Sequence, residues 1–314
     1  MKILVTGGAG FIGSHVVRAY FTGGHEVVVI DDLSMGTPDK VPSGVRLHRL
    51  DLRDRESLAE LFARERPDVV NHHAAQTVVP ASVENPRHDA EVNILGTLAL
   101  LECSARFGVS KFIYASSGGA LYGDSRDLPI GEHCPTEPLS PYGISKLAGE
   151  LYVRRVTGLH GVEHVILRYA NVYGPGQDAQ GEAGVVAVFA RQMKAGVAPV
   201  IHGDGKQTRD FVFVGDVARA NVAALQARDL VVNIGTGTET AISELAQKIA
   251  EITGYEGPIH PAPSRPGDVR HSALDITLAR ERLGWRPEVS LEFPWKKACG
   301  GPWPRCEPPS GLVP

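Results

Sequence analysis

Cysteine is scarce and ungrouped. The chain has four, Cys103, Cys134, Cys299 and Cys306, with no Cys-x-x-Cys pair. Their scatter argues against a disulfide framework and a cysteine-ligated zinc site, and it fits a reducing compartment. Long hydrophobic runs are missing: no window reaches the roughly 18 uninterrupted apolar residues of a membrane span. No charged n-region and apolar h-region precede the strand-like residues 2–6, so no signal peptide is expected. Excess positive charge is missing as well. A net charge of -4 gives no electrostatic footprint for nucleic acid or for an anionic membrane surface. No internal repeat is visible. The expectation is a cytoplasmic globular protein with no nucleic-acid partner, no membrane partner and no metal.

What the chain does have is apolar material in a regular order. Its 314 residues are 43% hydrophobic and 22% charged, enough for one large α/β unit or two lobes. Short β-branched runs alternate with helical stretches over the first 170 residues. Lys2–Thr6 (KILVT), Glu26–Asp31 (EVVVID), Val45–Leu50, Asp68–His72, Lys111–Ser116 and His164–Tyr169 read as strands. Residues 11–21, 54–65, 88–107 and 142–157 read as helices. Continuous apolar strands alternating with helices predict a doubly wound parallel sheet of the Rossmann type, covered on both faces.

After Asn171 glycine and proline become frequent. Short strands at 212–214 and 231–234 intermix with helices at 185–195, 215–227 and 241–252. This predicts a first domain of residues 1–171, to which 206–235 return, and a smaller lobe of 172–205 and 236–290. Residues 291–314 are rich in proline and glycine and are expected to be an irregular tail.

Glycines 7, 10 and 13 follow the first strand and open the first helix, in Thr6-Gly7-Gly8-Ala9-Gly10-Phe11-Ile12-Gly13. In that context the first permits a tight turn and the second lets the backbone approach a pyrophosphate. The third lets helix and strand pack closely, while the helix N-terminus offers N–H donors. Asp31 ends the second strand, 18 residues after Gly13. A carboxylate there hydrogen-bonds ribose hydroxyls and repels a 2′-phosphate, which predicts NAD rather than NADP. Asp51 and Leu52, after the third strand, are placed to reach the adenine, although an aspartate there is more often a plain helix cap.

Tyr142 and Lys146 lie in Ser-Pro-Tyr-Gly-Ile-Ser-Lys. On a helix starting near Pro141, that spacing puts both on one face. A tyrosine of ordinary pKa near 10 is a poor base, and a neighbouring ammonium favours its phenolate. Most Tyr-x-x-x-Lys pairs are surface residues. Here the pair follows a dinucleotide turn and a strand ending in Ser116-Ser117, where open α/β sheets bind ligands. The combination points to redox chemistry at a carbon bearing a hydroxyl.

These motifs resemble the extended short-chain dehydrogenase/reductase superfamily, and within it the bacterial UDP-glucose (UDP-galactose) 4-epimerases. The resemblance covers residues 1 to about 290. It rests on TGGAGFIGSH (6–15), HHAAQ (72–76), NILGT (93–97), SSGGALYGD (116–124), SPYGISK (140–146), RYANVYGP (168–175), RDFVFVGD (209–216) and RPGD (265–268). It implies that Tyr142 is the acid/base, Lys146 its partner and Ser117 the substrate-orienting serine, with Ser116 an alternate. It implies an NAD site lined by Gly7, Gly10, Phe11, Ile12, Asp31, Leu33, Asp51, Leu52, Ala74, Ala75, Gln76, Asn93, Ser116, Tyr142, Lys146 and Tyr169. Many members carry a cofactor-binding lysine where this chain has Thr77.

The same resemblance implies that Asn171, Arg209 and Arg265 hold a UDP diphosphate, Asp268 the uridine ribose, and the backbone at Val185, Val186 and His202 the uracil. The implied reaction interconverts UDP-glucose and UDP-galactose at C4 through a 4-keto sugar, as in galactose metabolism, with NAD retained. Members that reject N-acetyl sugars tend to carry a tyrosine at the position of Ser272. UDP-glucuronate and UDP-N-acetylglucosamine 4-epimerases therefore stay open, as does a binding-only NAD sensor. Members commonly form a homodimer through the helices expected at 88–107 and 142–157.

Overall fold

The computed structural model describes residues 1–125, 127–177, 184–264 and 269–291. In chain order the elements begin with β1 (Lys2–Thr6), α1 (Phe11–Thr22), β2 (Glu26–Asp31), β3 (Arg46–Arg49), α2 (Arg55–Glu65) and β4 (Val69–His72). Next come α3 (Val79–Glu84), α4 (Pro86–Ala90), a π turn over Glu91–Leu95, α5 (Gly96–Phe107), β5 (Lys111–Ser117), α6 (Gly118–Leu121) and α7 (Pro141–His160). They continue with β6 (Glu163–Tyr169), β7 (Asn171–Tyr173), α8 (Val185–Lys194), β8 (Val200–His202), β9 (Thr208–Arg209) and β10 (Phe211–Phe213). The last are α9 (Val214–Ala224), β11 (Leu230–Ile234), β12 (Thr240–Ala241), α10 (Ile242–Thr253), β13 (His260–Ala262) and α11 (Thr277–Leu283).

Seven strands form one sheet in the order β11-β6-β5-β4-β1-β2-β3. Every neighbouring pair is parallel. Ile3, Val5, Val27 and Val29 pack on one face with α1, α9 and α11. Leu4, Val28, Ile30 and Val70 pack on the other with α2, α5 and α7. Burial of both faces is why these strands read as unbroken apolar runs rather than as an alternation. The predicted doubly wound parallel sheet is the one found. Its order reverses between β1 and β4, so the C-terminal ends of those strands open a crevice.

The catalytic-helix candidate α7 is set by local signals at both ends. Ser140 Oγ accepts a hydrogen bond from Gly143 N at 3.2 Å, and Pro141 occupies the first helical position. Gly161, at φ +67°, closes the C-terminus. The helix expected over 88–107 is present as one continuous helical run from Pro86 to Phe107, widened to a π turn over Glu91–Leu95. The physical cause is Asn93, whose side chain is pulled off the helix to bond the main chain of Gln76 on both sides. A wider π turn accommodates that diversion.

A third apolar cluster joins Phe189 and Met193 of α8 to Leu245 and Ile249 of α10, with Tyr173 and Phe211. Short pairs flank it: β7 with β10, β8 with β13, and β9 with β12. Residues 292–314, most of the expected tail, lie outside the described residues.

Candidate active site

The first βα turn is built to hold a diphosphate. Gly7 has φ +68°, and a Cβ there would lie 2.6 Å from Ala74 N. A Cβ on Gly13 would lie 2.1 Å from Gly7 O. Only glycine allows this approach of helix, turn and the β4 exit. Gly10 caps α1 with no side-chain hydrogen bond, and among the described residues no side chain takes the amides of the first turn, where Phe11 and Ile12 stand. Asp31, at the tip of β2, accepts from Ala9 N and Leu33 N, both at 2.9 Å. Leu33 is in the left-handed region at φ 62°. Burial pushes the Asp31 carboxyl up, and the two N–H donors oppose it.

These residues fit a dinucleotide: unclaimed helix-end donors, a cradle closed to any Cβ, and an anchored carboxylate 22 residues beyond Ala9. Asp51 is different. Its carboxylate is engaged by Arg53 in the same turn, at 3.0 Å from Nε, and that bond pulls its pKa below the ordinary range. Leu52 is buried against Gly96.

The exit of β4 is held by a chain of buried bonds. Thr97 Oγ1 donates to Asn93 O at 2.6 Å, so it accepts from His72 Nε2 at 2.9 Å. His72 Nδ1 then accepts from Thr6 Oγ1 at 2.7 Å, and Thr6 Oγ1 accepts from Ala74 N at 3.1 Å. Burial keeps His72 neutral, lowering its pKa well below the usual imidazole value. His73 stacks on Tyr169, whose hydroxyl lies 3.2 Å from His73 Nε2. Burial lowers His73 to about 3. Ala74, Ala75 and Gln76 follow. Gln76 N donates to Asn93 Oδ1 at 2.8 Å, so Asn93 meets the cofactor loop with its side chain committed to the protein.

Tyr142 and Lys146 share a face of α7, one turn apart. Lys146 is 4% exposed. Its Nζ donates to Ala115 O at 2.9 Å and lies 5.1 Å from the centre of the Tyr114 ring. Burial brings its pKa down to about 8, while Asp89 and Glu150 act in the opposite direction. Tyr142 N donates to Ser82 Oγ at 3.1 Å, which ties the start of α7 to α3. Ser116 Oγ donates to Glu150 Oε1 at 2.5 Å and is buried. Ser117, at the very end of β5, is half-buried and leads into α6. The start of α7 presses on α6, since a Cβ on Gly143 would lie 2.6 Å from Ala120 O. Ser117, Tyr142 and Lys146 thus converge at the C-terminal edge of the sheet.

On the far side Asn171 is exposed, and its Oδ1 would lie 3.4 Å from a Cβ on Gly119. Val185 and Val186 open α8, with the Val186 side chain buried in the third cluster. The His202 carbonyl accepts from Gln207 Nε2 at 2.6 Å. Arg209 Nη1 donates to Thr208 O and Val269 O, both at 2.7 Å, which fixes its guanidinium between β9 and residue 269. Arg265 and Asp268 lie outside the described residues.

Four residues of this neighbourhood did not stand out in the sequence: Ser82, Asp89, Ser145 and Glu150. Glu150 carried one signal, its place four residues after Lys146. Ser82 and Ser145 also meet partners 60 and 52 residues away, Tyr142 N and Asn93 Nδ2.

Comparison with known proteins agrees with this geometry. Residues 3–235 match the NAD dependent epimerase/dehydratase family. A UDP-glucose 4-epimerase of Mycolicibacterium smegmatis is 43% identical over 298 residues, covering 93% of this chain and 95% of that protein. The crystal structure of a Thermotoga maritima UDP-glucose 4-epimerase with UDP-glucose is 47% identical, with a TM-score of 0.93, covering 94% and 96% of the two chains. That of a Thermus thermophilus UDP-glucose 4-epimerase in complex with NAD is 44% identical, with a TM-score of 0.90 and coverages of 94% and 97%. With the dinucleotide turn, Asp31 and the Tyr142–Lys146 pair on one sheet edge, the chain belongs to the NAD-dependent epimerase/dehydratase family.

Proposed function

We propose that the protein interconverts UDP-glucose and UDP-galactose at C4 of the sugar. The observation that carries this reading is the placement of Tyr142 and Lys146 one turn apart on α7, with Lys146 Nζ anchored on Ala115 O, two residues before Ser117. NAD, held by the first βα turn and Asp31, supplies the hydride acceptor and donor. Tyr142 takes and returns the proton of the sugar 4-hydroxyl. Lys146, with donors beyond the one given to Ala115 O, stabilises the Tyr142 phenolate and holds the cofactor ribose. Ser117 orients the reacting oxygen. Ser116 does not compete for that role, because its hydroxyl is given to Glu150. Asn171 and Arg209 anchor the diphosphate, with Arg265 beside them, and Asp268 holds the uridine ribose. Residues 172–205 and 236–290 form the UDP-sugar lobe.

Incubation of the purified protein with UDP-galactose, without added cofactor, tests the reading. Conversion to UDP-glucose is expected. No conversion of UDP-galactose, UDP-N-acetylgalactosamine or UDP-glucuronate, even with NAD added, would remove it.

A second reading, turnover of UDP-N-acetyl sugars, is favoured by the small Ser272. This residue is 2% exposed. It lies two positions before Leu274, which packs within 2.5 Å of where a Cβ on Gly118 would stand, beside Ser117. Ser272→Tyr is expected to lower UDP-N-acetylgalactosamine turnover at least tenfold more than UDP-galactose turnover, the scale of one steric pocket contact. Unchanged turnover of both sugars in Ser272→Tyr would refute this reading.

The protein is expected to act in the cytoplasm as a homodimer. No helix among the described residues is long and apolar enough to cross a membrane. Ile144 and Leu151 on α7 and Leu95 beside α5 are exposed apolar side chains on the helices expected to pair. Leu101 and Val153, in contrast, belong to the core. Sedimentation equilibrium at micromolar protein should give twice the chain mass, and a monomer would exclude the dimer.

A further inference from the structure

Two buried carboxylates, Asp89 and Glu150, act on the Lys146 charge, and their surroundings are not equivalent. Glu150 stands one turn further along α7. Its charge is matched by Arg168, which donates to it through Nε at 2.9 Å and Nη2 at 2.7 Å. Asp89, on α4, is 1% exposed and pairs with no cation within ion-pair distance among the described residues. Its Oδ1 accepts from Gln76 Nε2 at 2.9 Å and from Asn93 Nδ2 at 3.1 Å, both neutral amides. A carboxylate withdrawn from water needs a compensating charge.

The other groups around Lys146 supply no compensation of their own. His72 and His73, at the end of β4, are kept neutral by burial. Tyr114, on β5, is a buried neutral phenol whose pKa burial raises well above its ordinary value. Tyr142 shares the face of α7. Both carboxylates act on the Lys146 charge, and among the described residues Glu150 is paired with Arg168 while Asp89 makes no ion pair.

We propose that Asp89 is a positioning residue for the reaction: its buried carboxylate is the counter-charge that keeps Lys146 an ammonium, and through Gln76 and Asn93 it ties the cofactor loop to the catalytic helix. The second half of this role is a continuous path. Asn93 Nδ2 lies 3.0 Å from Ser145 Oγ, and Ser145 Oγ lies 2.9 Å from Tyr142 O. One side chain on α4 thus sets both the charge of the catalytic pair and its distance from the cofactor. The role rests on the epimerase reading only for its consequence in turnover.

The test is the ionisation of Lys146 in the NAD-saturated protein. It is followed by NMR of ¹³C-labelled lysine side chains, with the resonance assigned by its loss in Lys146→Met. Asp89→Asn keeps the shape and one acceptor but removes the charge. It is expected to lower the Lys146 midpoint by about one pH unit, a tenfold change in the ratio of ammonium to amine. The high-pH limb of kcat should move down with it, while KM for the UDP-sugar stays constant. Asp89→Glu, which keeps the charge, should restore the wild-type midpoint. An unchanged midpoint in Asp89→Asn overturns the proposal. If Asp89→Asn does not fold, Asp89→Glu carries the test: a wild-type midpoint supports the counter-charge, and a midpoint lower by a full unit overturns it. A protein that shows these midpoints yet epimerises no UDP-sugar overturns the proposed function and leaves the role of Asp89 standing.

Discussion

Tyr142→Phe should lose turnover by about 10²- to 10⁴-fold, the usual contribution of one positioned acid–base group. The change removes a single hydroxyl. The ring that packs at the start of α7 is retained, and so is the backbone bond from residue 142 to Ser82 Oγ. Ser140 still caps the helix, and Lys146 stays anchored on Ala115 O. The residues proposed to hold NAD, Gly7, Gly10 and Asp31, belong to the first βα unit, away from α7. Cofactor content should therefore be unchanged. The check has two readouts: the initial rate of UDP-galactose conversion, and the NAD released on denaturing the purified variant. Full activity with full cofactor content would show that another group moves the proton. A loss of both would show instead that the residue holds the cofactor site together.

That separation was partly legible in the sequence, for physical reasons. Strands buried on both faces leave continuous apolar runs, and KILVT and EVVVID announced β1 and β2. The spacing of Gly7, Gly10 and Gly13 announced the turn, because no side chain fits where Ala74 N and Gly7 O approach so closely. Helix α7 was bracketed by Ser140, Pro141 and Gly161, which act locally.

What escaped depended on partners far along the chain. The π turn exists because Asn93 bonds Gln76, 17 residues earlier. Strands β8, β9, β12 and β13 have two or three residues each, too few to show a period, and they exist through pairing across the fold. That the Ser116 hydroxyl is committed to Glu150, 34 residues further on, could not be read from either position alone. Asp89 reads as an ordinary helix residue until its burial is known.

The largest effect on stability is expected at Arg168. This guanidinium sits on β6 and is nearly buried, as is Glu150. Besides its bonds to Glu150, it donates through Nη1 to Tyr122 OH at 2.8 Å and lies over the Tyr122 ring at 5.2 Å. Tyr122 OH in turn donates to Asn233 Oδ1 at 2.8 Å, which carries the network to β11. Among the described residues, Arg168→Met would leave the Glu150 carboxylate with Ser116 Oγ as its one hydrogen-bond donor. Removing one partner of a buried pair costs about 3–5 kcal/mol, because the other charge is stranded. Urea denaturation of the NAD-saturated protein should show that loss. Adding Glu150→Gln to Arg168→Met should recover much of it, since the stranded charge is then gone; no recovery would mean that lost packing, not charge, sets the cost.

The same change has a signed effect on Lys146. With Arg168 gone, the charge of Glu150 is no longer cancelled beside Lys146, whose pKa burial has brought down to about 8. An added negative charge favours the ammonium, so the midpoint of Lys146 should rise in Arg168→Met. It should fall in Asp89→Asn. Opposite shifts from two substitutions of opposite charge would locate the control of Lys146 in its electrostatic surroundings. Shifts of the same sign would place it in loosened packing around α7.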